Sequence, residues 1–583
     1  MEAATQTRYR WTLRPIEDEA LVGSLGAELN DLPEPLARAL VLRGIRTFDE
    51  AEQFFRGGLD ELHDPFLMKD MDRAAERLVQ AVETGERVLV YGDYDVDGTT
   101  STALMVLFLK AHGVDATFFI PNRFVHGYGL SEAGIDVAVE RDAGLIVALD
   151  CGITAIEEAA YAKAKGLDLI ICDHHTAGDT LPDATAVLDP KRPDCAYPFK
   201  GLSGCGVGFK LVQATLQKLG LPVQDAWPYL DLVAVSTASD IVPLCDENRI
   251  LMREGLAQMC KAPRLGLVAL AERAAVDLDA CTSSKIVFNL GPRINAAGRL
   301  ADASLAVNLL ISDDPAEAGR LADEIEVLNM KRRDLDMLTR DHAVAMAEEF
   351  MAADPLALVL HHADWHAGVI GITASRVAEH FHRPAVLLTT DSTGEAKGSA
   401  RSIKGVSIYD ALAACSDLLT RFGGHDFAAG LALPIENIPL LRDRLQSAIA
   451  EVVDVDMLTP EIELDAHLNL SAIDDRFCRI LNQFSPFGPD NPRPTFLGRD
   501  LKVLGQPAAV GPDKRHLKLR VAQQNGSPSY SVIGFGLGDQ LDTALQSVRR
   551  GVPIELAFTV EENTWNGRTS LQLKAKDIRL EDT

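Results

Sequence analysis

The sequence predicts an α/β protein: two α/β domains joined by a long helix, followed by a small β-barrel. Three observations carry this. From Val88 onward, short apolar runs alternate with helical patterns, the mark of βαβ units in a parallel sheet. From Pro315 to about Ala353 the pattern is helical without interruption. From about Pro460, short alternating strands are separated by turn residues. With 583 residues the chain is long enough for several domains.

Residues 1–80 read as helices, with apolar positions recurring at three and four and Gly85 as a helix stop. They are expected to pack on the core as an N-terminal helical segment. Residues 81–300 form the first α/β domain. Its strands are Val88–Tyr91, Ala116–Ile120, LIVALD (145–150) and LDLIICD (167–173). Residues 301–353 contain the long helix, opened by Ser312-Asp-Asp-Pro315, an N-cap with Pro at N1. At 1.5 Å per residue it spans roughly 57 Å, the length of a strut between domains. Residues 354–455 form the second α/β domain, with LALVLHH, PAVLLTT and GSARS. Residues 456–583 carry five or more short strands, the pattern of an OB-fold.

Apolar residues make up 47% and charged residues 24%, which excludes global disorder. No apolar run is long enough to span a membrane, and the first ten residues lack the apolar core of a secretory signal. Nine scattered cysteines argue against a disulfide framework. A cytoplasmic protein without a membrane partner is expected. The net charge of −28 opposes a polyanion partner at long range. Yet residues 491–520 hold seven Lys or Arg against two Asp. Lys514, Arg515, Lys518 and Arg520 are candidates for a single-strand track, with Phe484, Phe487 and Phe496 as stacking candidates. Each phenylalanine taken separately is better read as barrel core.

The chemistry concentrates at strand ends. Asp93, Asp95 and Asp97 follow the first strand, Asp150 the third, and Asp173-His174-His175 the fourth. LVAVSTASD reads as a further apolar segment ending in Asp240. A single Asp after a strand is usually a turn or helix cap. Four together point to cations, because carboxylates at alternate positions are costly to bury unpaired. An EF-hand is the poorer reading, since its position 12, which needs a bidentate Glu, falls on Leu104 inside a helix. Carboxylates with one or two imidazoles suit Mn²⁺ or Mg²⁺, and paired ions of this kind serve phosphate-ester hydrolysis.

These motifs resemble the DHH phosphoesterase family, named for the Asp173-His174-His175 tripeptide. PNRFVHGYGLS (121–131), LGPRINAAGRL (290–300), WHAGVIGITASR (365–376), GSARS (398–402) and FGGHDFAAG (422–430) extend the resemblance, to the family's single-stranded-DNA-specific exonucleases and over nearly the whole chain. The resemblance implies a catalytic DHH domain, a DHH-associated domain that clamps substrate, and a barrel that extends the track. It implies Asp95, Asp97, Asp150, His174 and Asp240 as metal ligands, with Asp150 bridging and Asp93 a weaker ligand or support. His175 would face the scissile phosphate. Ser399 and Arg401 would hold phosphates, with His366 and His425 nearby, and Gly423-Gly424 would let backbone approach. Arg293, Asn295 and Arg299 read equally as phosphate contacts or as a tight helix contact. In the pyrophosphatase branch a His lies four residues before the first Asp of the DxD pair; Tyr91 stands there, so one tight and one weaker metal site are expected.

The implied activity is 5′-to-3′ exonucleolytic release of 5′-mononucleotides from single-stranded DNA, in recombination and repair including mismatch repair. Single-stranded-DNA-binding protein and a helicase are the implied partners, and a monomer is expected. The rival readings are a family phosphodiesterase acting on short oligonucleotides or small nucleotides, and a non-catalytic scaffold. Such scaffolds lose the metal residues, whereas the set here is intact.

Overall fold

The computed structural model describes residues 9–581 except Phe124, Tyr128, 392–393, 524–527 and 566–567. The chain divides into two compact units, Leu59–Leu458 and a second built from residues 1–58 with 459–583.

Two sheets organise the larger unit. The first is fully parallel, in the order Ala116–Phe119, Val88–Gly92, Leu145–Leu149, Asp168–Cys172, Ala186–Leu188. Val88–Gly92 and Leu145–Leu149 are buried throughout, because helices cover both faces. Val88 and Val90 pack with the helices Val96–Ala111, Gly204–Lys218 and Leu230–Ser239. Leu89 and Tyr91 pack with Glu132–Glu140 and Ile156–Ala164. The first and third strands run side by side while their crossovers leave in opposite directions. In such sheets the carboxyl ends at this switch point form the ligand crevice.

The helix Pro315–Met351 runs 37 residues, capped by Asp314, which accepts the Ala316 and Glu317 N–H groups. Its N-terminal part is buried through Ala318, Leu321 and Ile325 in the first domain. Ala343 and Ala347 bury its far end against the second sheet's domain. That sheet is mixed, in the order Arg421–His425, Ala428–Pro434, Glu395–Arg401, Ala385–Thr390, Leu358–His361.

In the smaller unit, strands Phe496–Val510, His516–Gln523, Tyr530–Gly534, Arg568–Leu580 and Ile554–Trp565 close into a ring when the first pairs with the last. This is the five-stranded barrel expected.

Two expectations are corrected. Residues 1–80 do not act as one segment on the core. Arg10–Leu13 pairs in parallel with Glu461–Leu464, and Leu36 and Leu40 share the barrel's core with Phe477 and Phe496. Arg38 fixes this arrangement by donating to the Asp465 and Arg14 carbonyls and to Glu19. From Leu59 onward the chain joins the first domain: Leu59, Leu62, Phe66 and Met68, with the helix Met71–Thr84 stopped by Gly85 in a left-handed conformation, pack in its core. LVAVSTASD is helix, Leu230–Ser239, and its burial on every side removes the polar face that marks helical periodicity. The fifth strand is instead Ala186–Leu188, which also ends in an aspartate, Asp189. Phe484 and Phe496 are fully buried in the barrel core, as the separate reading of each expected, and so do not serve as stacking residues; Phe487 is half-buried under the Arg493 guanidinium.

Candidate metal centre and phosphate site

Asp93, Asp95 and Asp97 leave the first strand together, and Asp150 leaves the third at φ 61°, a conformation Asp tolerates better than most residues. His174 and His175 follow the fourth strand, and Asp240 caps the carboxyl end of the Leu230–Ser239 helix. The crevice thus collects the predicted ligands into three overlapping groups, each with its ligand atoms within 4.8 Å of one another: Asp97, His174 and Asp240; Asp93, Asp95 and Asp150; Asp150, His174 and His175.

Each carboxylate is held differently. Asp97 accepts the Gly204 and Cys205 N–H groups at 2.6 and 2.8 Å and the Ser236 hydroxyl at 2.7 Å. Those amides open the Gly204–Lys218 helix, whose positive end favours a carboxylate there. A Cβ on Gly204 would stand 2.7 Å from that of Asp150, so only glycine lets this helix reach the crevice. Asp95 accepts the Gly98 N–H and so caps the Val96–Ala111 helix as well as facing the crevice. Asp173 accepts the N–H groups of Ile153, His174 and His175 and the His175 imidazole Nδ1. Burial alone would raise its pKa, but these donors hold it at about 2. It is a fixed anion that orients both histidines.

The electrostatics favour a cation. Burial, then Asp95, raises Asp97 to about 6. Burial pushes Asp150, Asp93 and Asp240 well above the carboxylate range, reinforced by their acidic neighbours. Burial and then His175 lower His174 to about 3, so its imidazole is neutral and suited to ligation. His174 Nε2 lies 3.2, 3.4 and 3.7 Å from carboxylate oxygens of Asp150, Asp240 and Asp97. Asp93 Oδ1, Asp240 Oδ2 and His174 Nε2 are buried without a hydrogen bond. This donor set fits a hard divalent ion. Tyr91 is no ligand: its hydroxyl donates to the Gly129 carbonyl on the opposite side of the strand's packing.

Beside the carboxylates stands a group of arginines. A Cβ on Gly298 would lie 2.2 Å from the Tyr94 carbonyl, and one on Gly291 2.8 Å from Ser239 Oγ. The helix Gly291–Leu300 therefore lies directly along the acidic loops, with Asn295 on the stripe between the two glycines. Its Arg299 donates to the Gly368 carbonyl. Burial, then Arg123, lowers Arg299 to about 10, with Arg332 and Arg401 adding repulsion and Asp95 opposing it. Burial, then Arg123, also lowers Arg401. Among the described residues no carboxylate forms an ion pair with Arg123, Arg299 or Arg401. Arg401 donates to Ser399 Oγ at 2.8 Å, and Gly368 N–H donates to His366 Nδ1 at 3.0 Å. A cationic group so placed is ready for phosphate.

Other predicted residues fall differently. Arg293 is not part of this group. It holds Glu326 of the long helix with two hydrogen bonds and donates to the Asn289 and Arg273 carbonyls, so it is a structural latch. Gly423 shares a rung with Gly430 and Ser399, and His425 with Ala428 and Arg401. They lie two strands away, about 10 Å. A Cβ at Gly423 or Gly430 would meet nothing within 4 Å, so that face of the hairpin is open. In the barrel unit Lys518 and Arg520 point outward from one strand, while Lys514 and Arg515 sit exposed in the preceding turn.

Three contributors escape sequence reasoning. Arg123, in the 121–131 motif, stacks on Tyr94 at 4.4 Å and sits between both charge groups; an arginine directly after Pro121-Asn122 is the available signal. Phe124 and Tyr128 of that motif lie outside the described residues. Asp189, raised to about 7 by burial, lies close enough for His175 to counter the shift. Phe535, 58% exposed beneath Lys574, is an outward aromatic of the barrel.

The raised carboxylates make a pH prediction. A carboxyl whose folded pKa lies above its unfolded value loses stability as pH rises through that interval. In metal-free buffer, denaturation of the larger unit should become easier from about pH 4 to 7. Saturating Mn²⁺ should raise Tm most at neutral pH, and Asp150→Asn should diminish that rise. A metal-free stability that climbs over this interval counts against the account.

Comparisons with known proteins agree with the geometry. Residues 87–237 match the DHH family, N-terminal domain, 353–451 the DHHA1 domain, and 464–577 the RecJ OB domain. The single-stranded-DNA-specific exonuclease RecJ of Bacillus subtilis is 38% identical over 578 residues, covering 99% of this chain and 71% of that protein. RecJ of Escherichia coli is 36% identical, covering 94% and 96%. The crystal structure of RecJ in complex with Mn²⁺ from Thermus thermophilus superposes with a TM-score of 0.83 at 32% identity, covering 99% of this chain and 81% of that one. The corresponding Mg²⁺ complex gives 0.76 at 30% identity, covering 99% and 79%. The chain belongs to the RecJ family of single-stranded-DNA-specific exonucleases, within the DHH phosphoesterases.

Proposed function

We propose that this protein is a Mn²⁺- or Mg²⁺-dependent exonuclease that degrades single-stranded DNA from the 5′ end, releasing 5′-mononucleotides. The observation that carries it is one helix, Gly291–Leu300, lying along the carboxylate cluster and bringing Arg299 among Arg123 and Arg401. An acidic centre and an unpaired cationic group in such proximity suit a phosphodiester whose scissile phosphate faces one and whose neighbouring phosphates face the other.

Asp97, Asp150, His174 and Asp240 would hold the tighter ion, since they include the neutral imidazole and the best-anchored carboxylate. Asp93, Asp95 and Asp150 would hold the weaker one. When bound, such ions lower the pKa of water and offset charge at the scissile phosphate. Asp173 keeps the His175 ring oriented toward the crevice, where it can meet that phosphate. Burial works against protonating His175, but the Asp173 carboxylate outweighs it and raises its pKa. Arg401, with Ser399, and Arg299 bind and orient the strand's phosphates. The basic wall of the barrel, Lys518 and Arg520 with Lys514 and Arg515, supplies a further single-strand platform.

Family membership supports the 5′ polarity and a role in recombination and repair, mismatch repair included. It likewise supports single-stranded-DNA-binding protein and a helicase as partners, and action as a monomer in the cytoplasm.

The test uses single-stranded DNA labelled separately at each end, incubated with Mn²⁺ or Mg²⁺, with Asp150→Ala as control. Early release of mononucleotide from the 5′ label alone, lost by at least about a thousandfold in the variant, is expected. Intact long strands with cleaved dinucleotides would favour a small-substrate phosphodiesterase instead. The barrel is tested by reversing charge at Arg515 and Lys518. Single-strand affinity should fall and its log–log salt slope flatten by about 1–2; unchanged affinity removes the barrel from the track.

A further inference from the structure

Two exposed apolar side chains beside the acidic centre have no part in the chemistry above. Ile241 directly follows Asp240 and is 73% exposed. Its φ of 61° is a backbone conformation that β-branched residues rarely adopt, and such outliers cluster at functional sites. Phe288 is 76% exposed, more than any other aromatic side chain among the described residues. It sits in a single π-helical turn, Ile286–Leu290, that runs straight into the Gly291–Leu300 helix. Turns of this kind recur where a helix is distorted for function.

The two residues belong to one neighbourhood. Gly291 abuts Ser239, and Ile241 emerges two residues beyond Ser239. The π-helical turn itself packs on the Leu230–Ser239 helix. At the other end of the Gly291–Leu300 helix, about 16 Å from Phe288 along the axis, Arg299 stands with Arg123 and Arg401. The helix is thus flanked by cations at one end, by the carboxylate crevice along its glycine stripe, and by bare apolar side chains at the other end.

A single strand offers the matching alternation. Its phosphates seek cations, and its unpaired bases expose apolar faces that a duplex hides. Resting on the single-strand reading proposed above, we propose that Phe288 and Ile241 form a platform on which unpaired bases stack as the strand passes the acidic centre. They are positioning residues that select for unpaired bases and do not touch the reacting phosphate. The occupant is the DNA strand itself, because the patch is continuous with the site: Ile241 is bonded to Asp240, and Phe288 leads into the helix that carries Arg299.

The experiment uses the full-length protein with Mn²⁺ and a twelve-nucleotide oligothymidylate. The double variant Phe288→Ala/Ile241→Ala should raise KM about tenfold while kcat changes less than about twofold. Phe288→Trp should restore KM, and Leu440→Ala, an exposed leucine on the separate helix Ile438–Ala450, should leave it unchanged. A second readout is independent of turnover and of the double variant's folding. Phe288→Trp placed on Asp150→Ala should gain an emission component that the oligothymidylate quenches and a twelve-base-pair duplex does not. An unchanged KM, which would leave the apolar pair to a protein partner, overturns the proposal, as does emission indifferent to the single strand. If the unaltered protein neither binds nor degrades the oligothymidylate, the single-strand reading falls and this proposal with it.

Discussion

Five carboxylates, Asp93, Asp95, Asp97, Asp150 and Asp240, meet one neutral imidazole, His174, where the parallel sheet changes direction. Their mutual repulsion and desolvation are the constraint around which the catalytic unit is built. Without a cation the cluster is costly, because burial and acidic neighbours push Asp93, Asp97, Asp150 and Asp240 toward the protonated form. With a divalent ion the same oxygens become a ligand shell. Stability and activity are therefore tied to one event, ion binding.

The surroundings serve to hold that unfavourable arrangement open. The Gly204–Lys218 helix turns its N-terminal amides on Asp97. Asp173 uses four donors to fix the two histidines and adds nothing to the ligand set. The Gly291–Leu300 helix approaches through its two glycines and delivers Arg299 to a group of arginines that repel one another. Two opposite charge clusters, each strained alone, lie within electrostatic reach of each other. A polyanionic strand with its metal ions would relieve both, which is the basis of the proposed preference for phosphodiesters. The net charge of −28 is no obstacle, because the local groups, not the global sum, face the strand.

Much of this is legible in the residues. Strands buried on both faces announce themselves as short apolar runs, and the aspartates that follow them mark the crevice. The helix Leu230–Ser239 is easily misread because a helix buried on all sides shows no polar periodicity, leaving length and flanking residues as the only guides. The partner of residues 1–58 is hidden for a related reason: an amphipathic pattern says which face is buried, not against what. Arg293 and Arg299 lie six positions apart on one helix and so face different directions; one clamps Glu326 and the other joins Arg123 and Arg401. Spacing alone gives that difference but not its orientation. Phe496 and Phe535 are both barrel phenylalanines, but Phe496 opens a strand and faces the core while Phe535 lies in the turn after Tyr530–Gly534 and stays exposed.

The most direct test of the metal-centred account is a titration of crystals with Mn²⁺, followed by anomalous diffraction at the manganese edge. The account predicts a first peak among Asp97, Asp150, His174 and Asp240, and a second beside Asp93, Asp95 and Asp150 only at higher Mn²⁺ or with a bound strand. Two fully occupied sites at the lowest concentration would contradict the inequality of the sites. A folded protein with no peak in the crevice at any concentration would contradict the account itself.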